Sequence, residues 1–446
     1  MLNRTTVLLG AMFMIACGGS DDGSATPGGG ATAGSAGNAG TGGSGNGGAG
    51  GGSAASAGAG ATAGTSSGGT GAGGGAAGSG GGFAGGGGAW VAPIGIPYPT
   101  FGVNEQAADC TGCTVKQQTD LSGLSNIPAG TVIELSAGPF TGGALTLGGK
   151  GTADKPIYVR GPSATNPAVI RRVTKIQGSY LILENIDFDL SASSDGIAIT
   201  NSDHVALRHS KVHDFDPGHN STALFLGNSS DIVLLGNSIH DNGDFTFVGE
   251  QDVHGIGGSN IHRVWIVDGV MFKNRGDSAQ FGHQAGNTSS DIFIGRNDIS
   301  GDGENCVDIK ETSNVVVSEN KLHQTGFDMP LVVFHDCPVN AALIYNQLSD
   351  NGVGVSMASL ETACAQYQPV KQFIIRNEFK NITNTAVEGW GSGKQHYVSG
   401  NTFGSVKTPI DLSNVAQSSL VEEGNAQVAQ AYAAYQAVYG IDISSP

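Results

Sequence analysis

Positive charge is scarce in this sequence. Its 446 residues include 21 Lys and Arg against 38 Asp and Glu, which gives a formal net charge of −17 at pH 7. Nucleic-acid binding is therefore not expected, because contacts to phosphates need clustered Lys and Arg side chains. The chain as a whole would also repel an acidic polysaccharide, so a site for one would need a local basic group or a bound cation.

Long apolar runs are also lacking. The run at residues 7–16 follows Arg4 and is too short to span a bilayer. The segment MLNRTTVLLGAMFMIAC resembles the lipobox of bacterial lipoprotein signal peptides, with Met14 where Leu is commoner. The resemblance implies a signal peptide at residues 1–17, acylation of Cys17, and attachment to the outer membrane or cell surface through lipid alone. An ordinary secretory signal peptide is the alternative.

Residues 18–92 contain almost nothing that could form a core. They are nearly all Gly, Ala, Ser and Thr, and Asp21 and Asp22 are their only charged residues. Such a segment cannot offset the entropy lost on ordering. We predict a disordered linker that tethers a folded domain.

Cysteine is rare, and five of the six cysteines lie beyond the signal peptide. Outside the cytoplasm, Cys110 and Cys113 in the sequence CTGC could form a disulfide, and Cys337 with Cys364 could form a second. This leaves Cys306, which we predict to be a buried thiol.

One short pattern recurs through residues 93–420, at intervals of roughly 27 residues. Each copy follows a stretch of alternating apolar and polar residues, and a second such stretch usually comes after it. Alternation predicts strands with one buried face, and several short strands per repeat favour a parallel β-helix over a leucine-rich horseshoe or a propeller. The clearest copies are GNSIHDN (236–242), RNDISGD (296–302), ENKLHQT (319–325), YNQLSDN (345–351), RNEFKNI (376–382) and GNTFGSV (400–406).

The repeats predict an all-β domain of about ten coils at residues 93–420, followed by a C-terminal helix within residues 421–446. Val428, Tyr432 and Tyr435 have the helical spacing of a face that packs or caps. The recurring asparagines are predicted to form a structural ladder of stacked amides: Asn237, Asn297, Asn320, Asn346, Asn377 and Asn401.

A resemblance supports this architecture. The segments GTVIELSAGPF, GTADKPIYVRG and SYLILENIDFD, followed by the repeats, resemble bacterial right-handed parallel β-helix proteins of the pectin-lyase-like superfamily. The resemblance implies a single-stranded right-handed parallel β-helix. It does not decide the activity, since that superfamily includes lyases, hydrolases, epimerases and non-catalytic adhesins.

The stretch GDGENCVDIKETSN, residues 301–314, is the densest in ionisable side chains. In VDIK, Val307 and Ile309 should point inward, so that Asp308 and Lys310 project outward to solvent from one strand. Coil-to-coil alignment should place further polar side chains in or near the same row: Asp252, His254, Asp277, Gln280, His283, His335 and Asp336.

This row has the groups that β-elimination on a uronic-acid glycan requires. The reaction needs a base for the proton next to the uronate carboxylate and positive charge to stabilise the resulting anion. We predict Lys310 as the base, with His335 or His254 as the acid or alternative base. Gln280, His283, Asp277 and Asp336 would contact the substrate. Asp302, Glu304 and Asp308 would be oxygen ligands for a possible calcium ion.

A second, local resemblance points the same way. IKETSN followed by FH is similar to the lysine segment of the chondroitinase B/alginate lyase family. The similarity implies that Lys310 is the base and that Glu304, less surely Asp308, binds the metal. The sequence differs from that family in having His335 where an Arg is expected.

Two alternatives remain open. Asp308 and Lys310 could form a solvated salt bridge of little value, and Asp302 and Glu304 could be ordinary turn residues. The chain would then be a non-catalytic surface adhesin or a carbohydrate-binding scaffold. For an enzyme and a scaffold alike, a monomer is the favoured oligomeric state. An enzyme should instead bury Lys310 in a groove beside His335, with an acid within hydrogen-bond reach.

Overall fold

The computed structural model describes residues 89–109, 112–247, 251–282, 289–326, 329–335, 338–359, 371–391, 395–415, 420–421 and 425–445. Several predictions lie outside these residues and stay predictions. They are the signal peptide with Cys17, most of the linker, Cys110, His283, Asp336, Cys337, Cys364 and the side chain of His335.

Strands dominate the described chain. The first nine are β1 (Thr114–Gln118), β2 (Thr131–Leu135), β3 (Phe140–Thr141), β4 (Leu145–Lys150), β5 (Ile157–Arg160), β6 (Ala168–Arg171), β7 (Thr174–Glu184), β8 (Ile186–Asp189) and β9 (Ile197–Thr200).

The central strands are β10 (Asp203–Arg208), β11 (Lys211–His213), β12 (Ser221–Leu235), β13 (Ser238–Asn242), β14 (Val253–Val267), β15 (Val270–Asn274), β16 (Ala279–Phe281), β17 (Ser290–Gly295), β18 (Asp298–Ser300), β19 (Val307–Lys310) and β20 (Ser313–Ser318).

The last strands are β21 (Lys321–His323), β22 (Val332–His335), β23 (Val339–Ile344), β24 (Gln347–Ser359), β25 (Lys371–Ile375), β26 (Glu378–Gly391), β27 (Gln395–Ser399), β28 (Thr402–Gly404), β29 (Thr408–Val415) and β30 (Leu420–Val421). A 3-10 turn (Ala107–Asp109) precedes them, and helix α1 (Asn425–Tyr439) follows them. No helix in the described chain is long and apolar enough to cross a membrane.

These strands form three stacks of parallel pairs, one strand of each stack per coil, which is a parallel β-helix. The first stack runs β1-β2-β5-β7-β10-β12-β14-β17-β20-β23-β25-β27-β30. The second runs β3-β6-β8-β11-β13-β15-β18-β21-β24-β26-β28. The third, which we call the site stack, runs β4-β7-β9-β12-β14-β16-β19-β22-β24-β26-β29.

Alternation of side chains explains why these residues form strands. In β9, for example, Ile197 and Ile199 are fully buried while Ala198 and Thr200 are half-buried on the outer side. Repeated from coil to coil, the inward residues fill one continuous apolar core. Burial of this kind is the main term that stabilises the fold.

The predicted asparagine ladder is present at the corner between the first and second stacks. Asn320 Nδ2 donates to Asn346 Oδ1 at 2.9 Å, and Asn346 Nδ2 donates to Asn377 Oδ1 at 3.0 Å. The residues just before the ladder positions, such as Glu319 and Tyr345, have positive φ. In the coils that carry it, the ladder satisfies buried polar groups and holds this strained corner in place.

The outer side of the first stack is covered by both ends of the described chain. Residues 89–105 lie against it, where Pro97 O accepts a hydrogen bond from Trp265 Nε1 at 2.8 Å. Helix α1 packs beside them, and Tyr435 Oη donates to Gly95 O at 2.9 Å. The predicted helical face is therefore a packing face.

The described cysteines agree with their predicted roles. Cys113 is disulfide-bonded, while Cys110, its predicted partner, lies outside the described residues. Cys306 is a free thiol with no exposed surface.

Candidate active site on the site stack

The predicted row of polar residues is aligned by strand register. Gln280 of β16 pairs with Asp308 of β19, and Lys310 of β19 pairs with His335 of β22. Because Gln280, Asp308 and Lys310 alternate with the buried Phe281 and Ile309, their side chains lie on the outer side of the site stack. The register predicted from the sequence is confirmed.

Lys310 and Asp308 form an ion pair that is almost completely buried. Lys310 Nζ lies 2.9 Å from Asp308 Oδ2, and the two residues are only 7% and 3% exposed. The expectation that both project into solvent is wrong, as is the alternative of a solvated salt bridge. Removing two charges from water costs several kcal/mol per ion, so a buried pair on the outside of a β-helix calls for a functional explanation.

Gln280 joins this pair to a second acid. Its Nε2 donates to Asp277 Oδ2 at 2.9 Å and to Asp308 Oδ2 at 3.3 Å. Asp277 has no exposed surface, and its Oδ1 accepts a hydrogen bond from Asn305 N at 2.8 Å. From this position Asp277 cannot touch a substrate, which corrects its predicted role. It orients its neighbours, whereas the half-buried Gln280 remains available for contact.

His254 lies against Asp277. Its Nδ1 is 3.3 Å from Asp277 Oδ2 and accepts a hydrogen bond from the Asp277 amide at 3.1 Å. Burial lowers the pKa of His254, but the carboxylates of Asp277 and Asp252 outweigh burial and raise it above the ordinary value. Because both protonation states of the imidazole have a partner here, His254 is suited to proton transfer.

Glu304 is a mostly buried acid with a raised pKa. Burial is the largest cause that raises its pKa, to about 9, and the charges of Asp277 and Asp252 and a hydrogen bond with Asp252 add to it. Glu304 is therefore protonated at neutral pH and hydrogen-bonds to Asp252. Sequence analysis assigned Asp252 no role, although an acid precedes each of three successive strands of the site stack: Asp252, Asp277 and Glu304.

Asp302, a predicted calcium ligand, belongs to the interior instead. Its Oδ1 accepts a hydrogen bond from Asn274 N at 3.1 Å, and its Oδ2 accepts one from Ser278 Oγ at 2.8 Å. Asn274 Oδ1 in turn accepts from Asn242 Nδ2 at 2.8 Å, so Asp302 continues a second ladder at the corner between the second and site stacks. Burial raises the pKa of Asp302 well above its usual range. It is a structural residue.

The predicted calcium ligands do not converge. Within the described parts of the chain, the one group of three or more His, Cys, Asp or Glu ligand atoms within 4.8 Å of one another is Asp189, His213 and Asp214. His213 Nδ1 contacts Asp214 of that group at 2.8 Å, while Nε2 contacts Asp187, outside the group, at 2.6 Å. Since both ring nitrogens are engaged with carboxylates, this cluster is an ion pair and not a metal centre.

Comparison with known proteins supports the fold. A family model described as "Right handed beta helix region" matches residues 195–403. Together with the strand pairing described above, this match shows that the fold is a right-handed parallel β-helix. No curated protein matches it by sequence.

Solved structures of similar shape include polysaccharide lyases and related enzymes that act on glycans. An alginate lyase from Paenibacillus is 15% identical, with a TM-score of 0.40, over 68% of this chain and 98% of that one. The A-module of the mannuronan C-5 epimerase AlgE4 from Azotobacter vinelandii is 16% identical, with a TM-score of 0.46, over 70% and 98%. The pectate lyase Pel9A is 14% identical, with a TM-score of 0.39, over 71% and 82%. With TM-scores below 0.5, the activity of this β-helix protein must be inferred from its own side chains.

Proposed function

We propose that this β-helix protein is a polysaccharide lyase that cleaves a uronic-acid glycan by β-elimination. The observation that supports this most strongly is the buried Lys310–Asp308 pair beside the His254–Asp277 pair. Together they place a strong base, a proton donor and their orienting carboxylates within three coils of one outer surface. Ionisable groups that are costly to bury gather at functional sites far more often than chance would give.

In the proposed reaction Lys310 removes the proton from the carbon next to the uronate carboxylate. Burial favours neutral forms, so Lys310 can first pass its own proton to Asp308, 2.9 Å away. The electron pair of the broken C–H bond forms the new double bond, and the glycosidic oxygen leaves from the adjacent carbon. Protonated His254 donates a proton to that oxygen, while Asp277 holds its ring.

Calcium belongs to this proposal with a ligand set different from the predicted one. Glu304 and Asp252 would hold the ion, which would displace the proton of Glu304, since neighbouring carboxylate oxygens are the donors that calcium prefers. A bound calcium ion would neutralise the substrate carboxylate. Asp302 is excluded from this set because its oxygens serve the interior ladder.

The test is an incubation of the purified protein with alginate, pectate, chondroitin and glycosaminoglycans. Unsaturated sugar ends, measured by ultraviolet absorbance, are the expected product, and Lys310→Ala should abolish them. If no substrate yields either unsaturated or new reducing ends, the proposal fails. Retained binding to one of these glycans would then support the alternative, a non-catalytic carbohydrate-binding scaffold.

The same proposal includes attachment to the outer membrane or cell surface through lipidated Cys17. Incorporation of labelled palmitate into the expressed protein tests it, with Cys17→Ser as the control. A Cys17→Ser protein that is labelled and sediments with membranes like the wild type would contradict lipid anchoring at this residue.

A further inference from the structure

Two phenylalanines stand exposed on the loop between β13 and β14, next to the candidate active site. Phe245 is 46% exposed and Phe247 is 47% exposed. The other large hydrophobic side chains exposed in the described chain are spread over other parts of the sequence: Val91, Tyr98, Val115 and Val270. Two neighbouring exposed rings on one loop mark a binding surface more often than two scattered ones do.

The loop that carries these rings is held by its own polar side chains. Asp244 Oδ1 accepts hydrogen bonds from Thr246 N at 2.7 Å and from Thr246 Oγ1 at 2.6 Å. Gln251 Oε1 accepts from Asp244 N at 2.9 Å, and Gln251 Nε2 donates to Asp216 Oδ1 at the same distance. The rings are therefore presented from an ordered turn, which lowers the entropy lost when a ligand binds.

Phe245 also contacts the coil that carries the candidate active site. The guanidinium carbon of Arg275 lies 5.9 Å from the centre of the Phe245 ring, and Arg275 is only 7% exposed. Arg275 stands two residues before Asp277. A Cβ added to Gly303, the neighbour of Glu304, would meet the Arg275 carbonyl oxygen at 1.8 Å, so the two coils touch here.

The other end of the loop reaches the same site. Asp252, just before β14, hydrogen-bonds to Glu304. Phe245, in contact with Arg275, therefore lies beside the coil that carries Asp277. A glycan whose cleaved bond lies at Lys310 would extend past this loop along the outer surface.

We infer that Phe245 and Phe247 form a platform for the apolar face of a sugar ring, at a subsite next to the one where cleavage occurs. The C–H groups of a pyranose face pack on aromatic rings, while its hydroxyl and carboxylate groups stay in solvent or meet polar neighbours. This inference rests on the proposed action on a glycan. It adds a subsite that binds by apolar contact, which suits a chain of net charge −17 acting on an anionic polymer.

Affinity electrophoresis of the full chain through gels containing alginate, pectate or chondroitin tests the platform without requiring catalysis. The variant is Phe245→Ala/Phe247→Ala, and the matched control is Tyr98→Ala, which removes a ring that is 51% exposed on the chain-end segment covering the first stack. The variant loses the contact between the rings and the bound sugar, so its apparent affinity for the gel polysaccharide should fall by about tenfold. Tyr98→Ala should bind like the wild type.

Oligosaccharides of increasing length provide the second measurement. In the wild type KM should fall as the oligosaccharide becomes long enough to reach the platform, and in the double variant this gain should vanish while kcat on the shortest substrate is kept. Unchanged retardation and an unchanged length dependence would overturn the inference and leave the lyase proposal intact. A wild-type dimer that becomes monomeric in the double variant would also overturn the inference, because the rings would then be covered by a second copy of the chain. Retardation that depends on the rings, without any cleavage, would overturn only the lyase proposal.

Discussion

The Nζ of Lys310 lies 2.9 Å from Oδ2 of Asp308, and the register of β19 with β16 places Gln280 against the same carboxylate oxygen. The Asp308 carboxylate is therefore shared between Lys310, the proposed base, and Gln280. The Lys310–Asp308 pair is buried on a side of the β-helix where water would otherwise solvate both charges.

Lys310→Ala should reduce the lyase rate by roughly 10²- to 10⁴-fold, since it removes the base. It should also cost about 3–5 kcal/mol of stability, because Asp308 would stay buried without its cation. The measurements are ultraviolet absorbance for activity and urea denaturation for stability.

Two further variants separate these effects. Lys310→Met/Asp308→Asn removes both charges and should recover most of the stability without recovering activity. Lys211→Ala, an exposed lysine on β11, should change neither. A double variant that regains activity would show that Lys310 is not the base.

Asp302→Asn should be neutral or slightly stabilising at neutral pH, since an amide can continue the ladder and no proton needs to be held. Asp302→Ala should cost about 1–3 kcal/mol, because Asn274 and Ser278 lose their acceptor. Both changes are measured by urea denaturation. Loss of activity in a fully stable Asp302→Asn protein would instead indicate that this acid takes part in the chemistry.

His213 should give the protein a measurable loss of stability at alkaline pH. Hydrogen bonding to Asp187 is the largest cause that raises the pKa of His213 to about 9, with Asp214 adding to it and burial opposing it. A raised pKa means that the stabilisation is complete below about pH 6.5 and is lost as the pH rises through 9.

His213→Gln should accordingly be less stable than the wild type by about 1–2 kcal/mol at pH 6, after allowance for partial exposure, and equal to it at pH 10. Guanidinium denaturation at the two pH values measures this. His219→Gln, a change to an exposed histidine, is the control and should show no such pH dependence. Equal losses at both pH values would mean that packing on His240, at 5.1 Å between ring centres, matters more than charge.

Calcium should raise the thermal unfolding midpoint of the wild type and leave that of Glu304→Gln unchanged. Saturation to 100 times the Kd corresponds to about 2.7 kcal/mol. Asp214→Asn, in the other acid cluster, is the matched control and should respond like the wild type. If the response to calcium is lost in Asp214→Asn and kept in Glu304→Gln, the ion binds at the Asp189, His213 and Asp214 cluster instead.

Much of the fold could be predicted because the repeat is local. Alternation in segments such as IAIT and VDIK, together with the asparagine that recurs at one corner in most coils, predicts strand, face and register from short stretches of sequence. Stacking then repeats the same register from coil to coil. The sequence alone therefore aligns four residues correctly: Gln280, Asp308, Lys310 and His335.

Roles within the site were harder to predict, because a carboxylate near a corner can face either way. Asp302 and Glu304 are two residues apart, yet Asp302 enters the interior ladder while Glu304 bonds to Asp252 from a preceding coil. Asp252 itself carried no distinctive motif. Its partner is 52 residues away in the chain, and only the winding of the β-helix brings the two together.

The sequence by itself therefore determined the parallel β-helix, its asparagine ladder and the row of polar residues on one outer surface, since these follow from periodicity and local turn chemistry. Tertiary structure decided which of those side chains are buried and which are paired. It buried the Lys310–Asp308 pair, placed Asp302 inside and left Phe245 and Phe247 exposed. Burial and charge pairing depend on contacts between coils and loops, whose side-chain directions are not encoded in any single repeat.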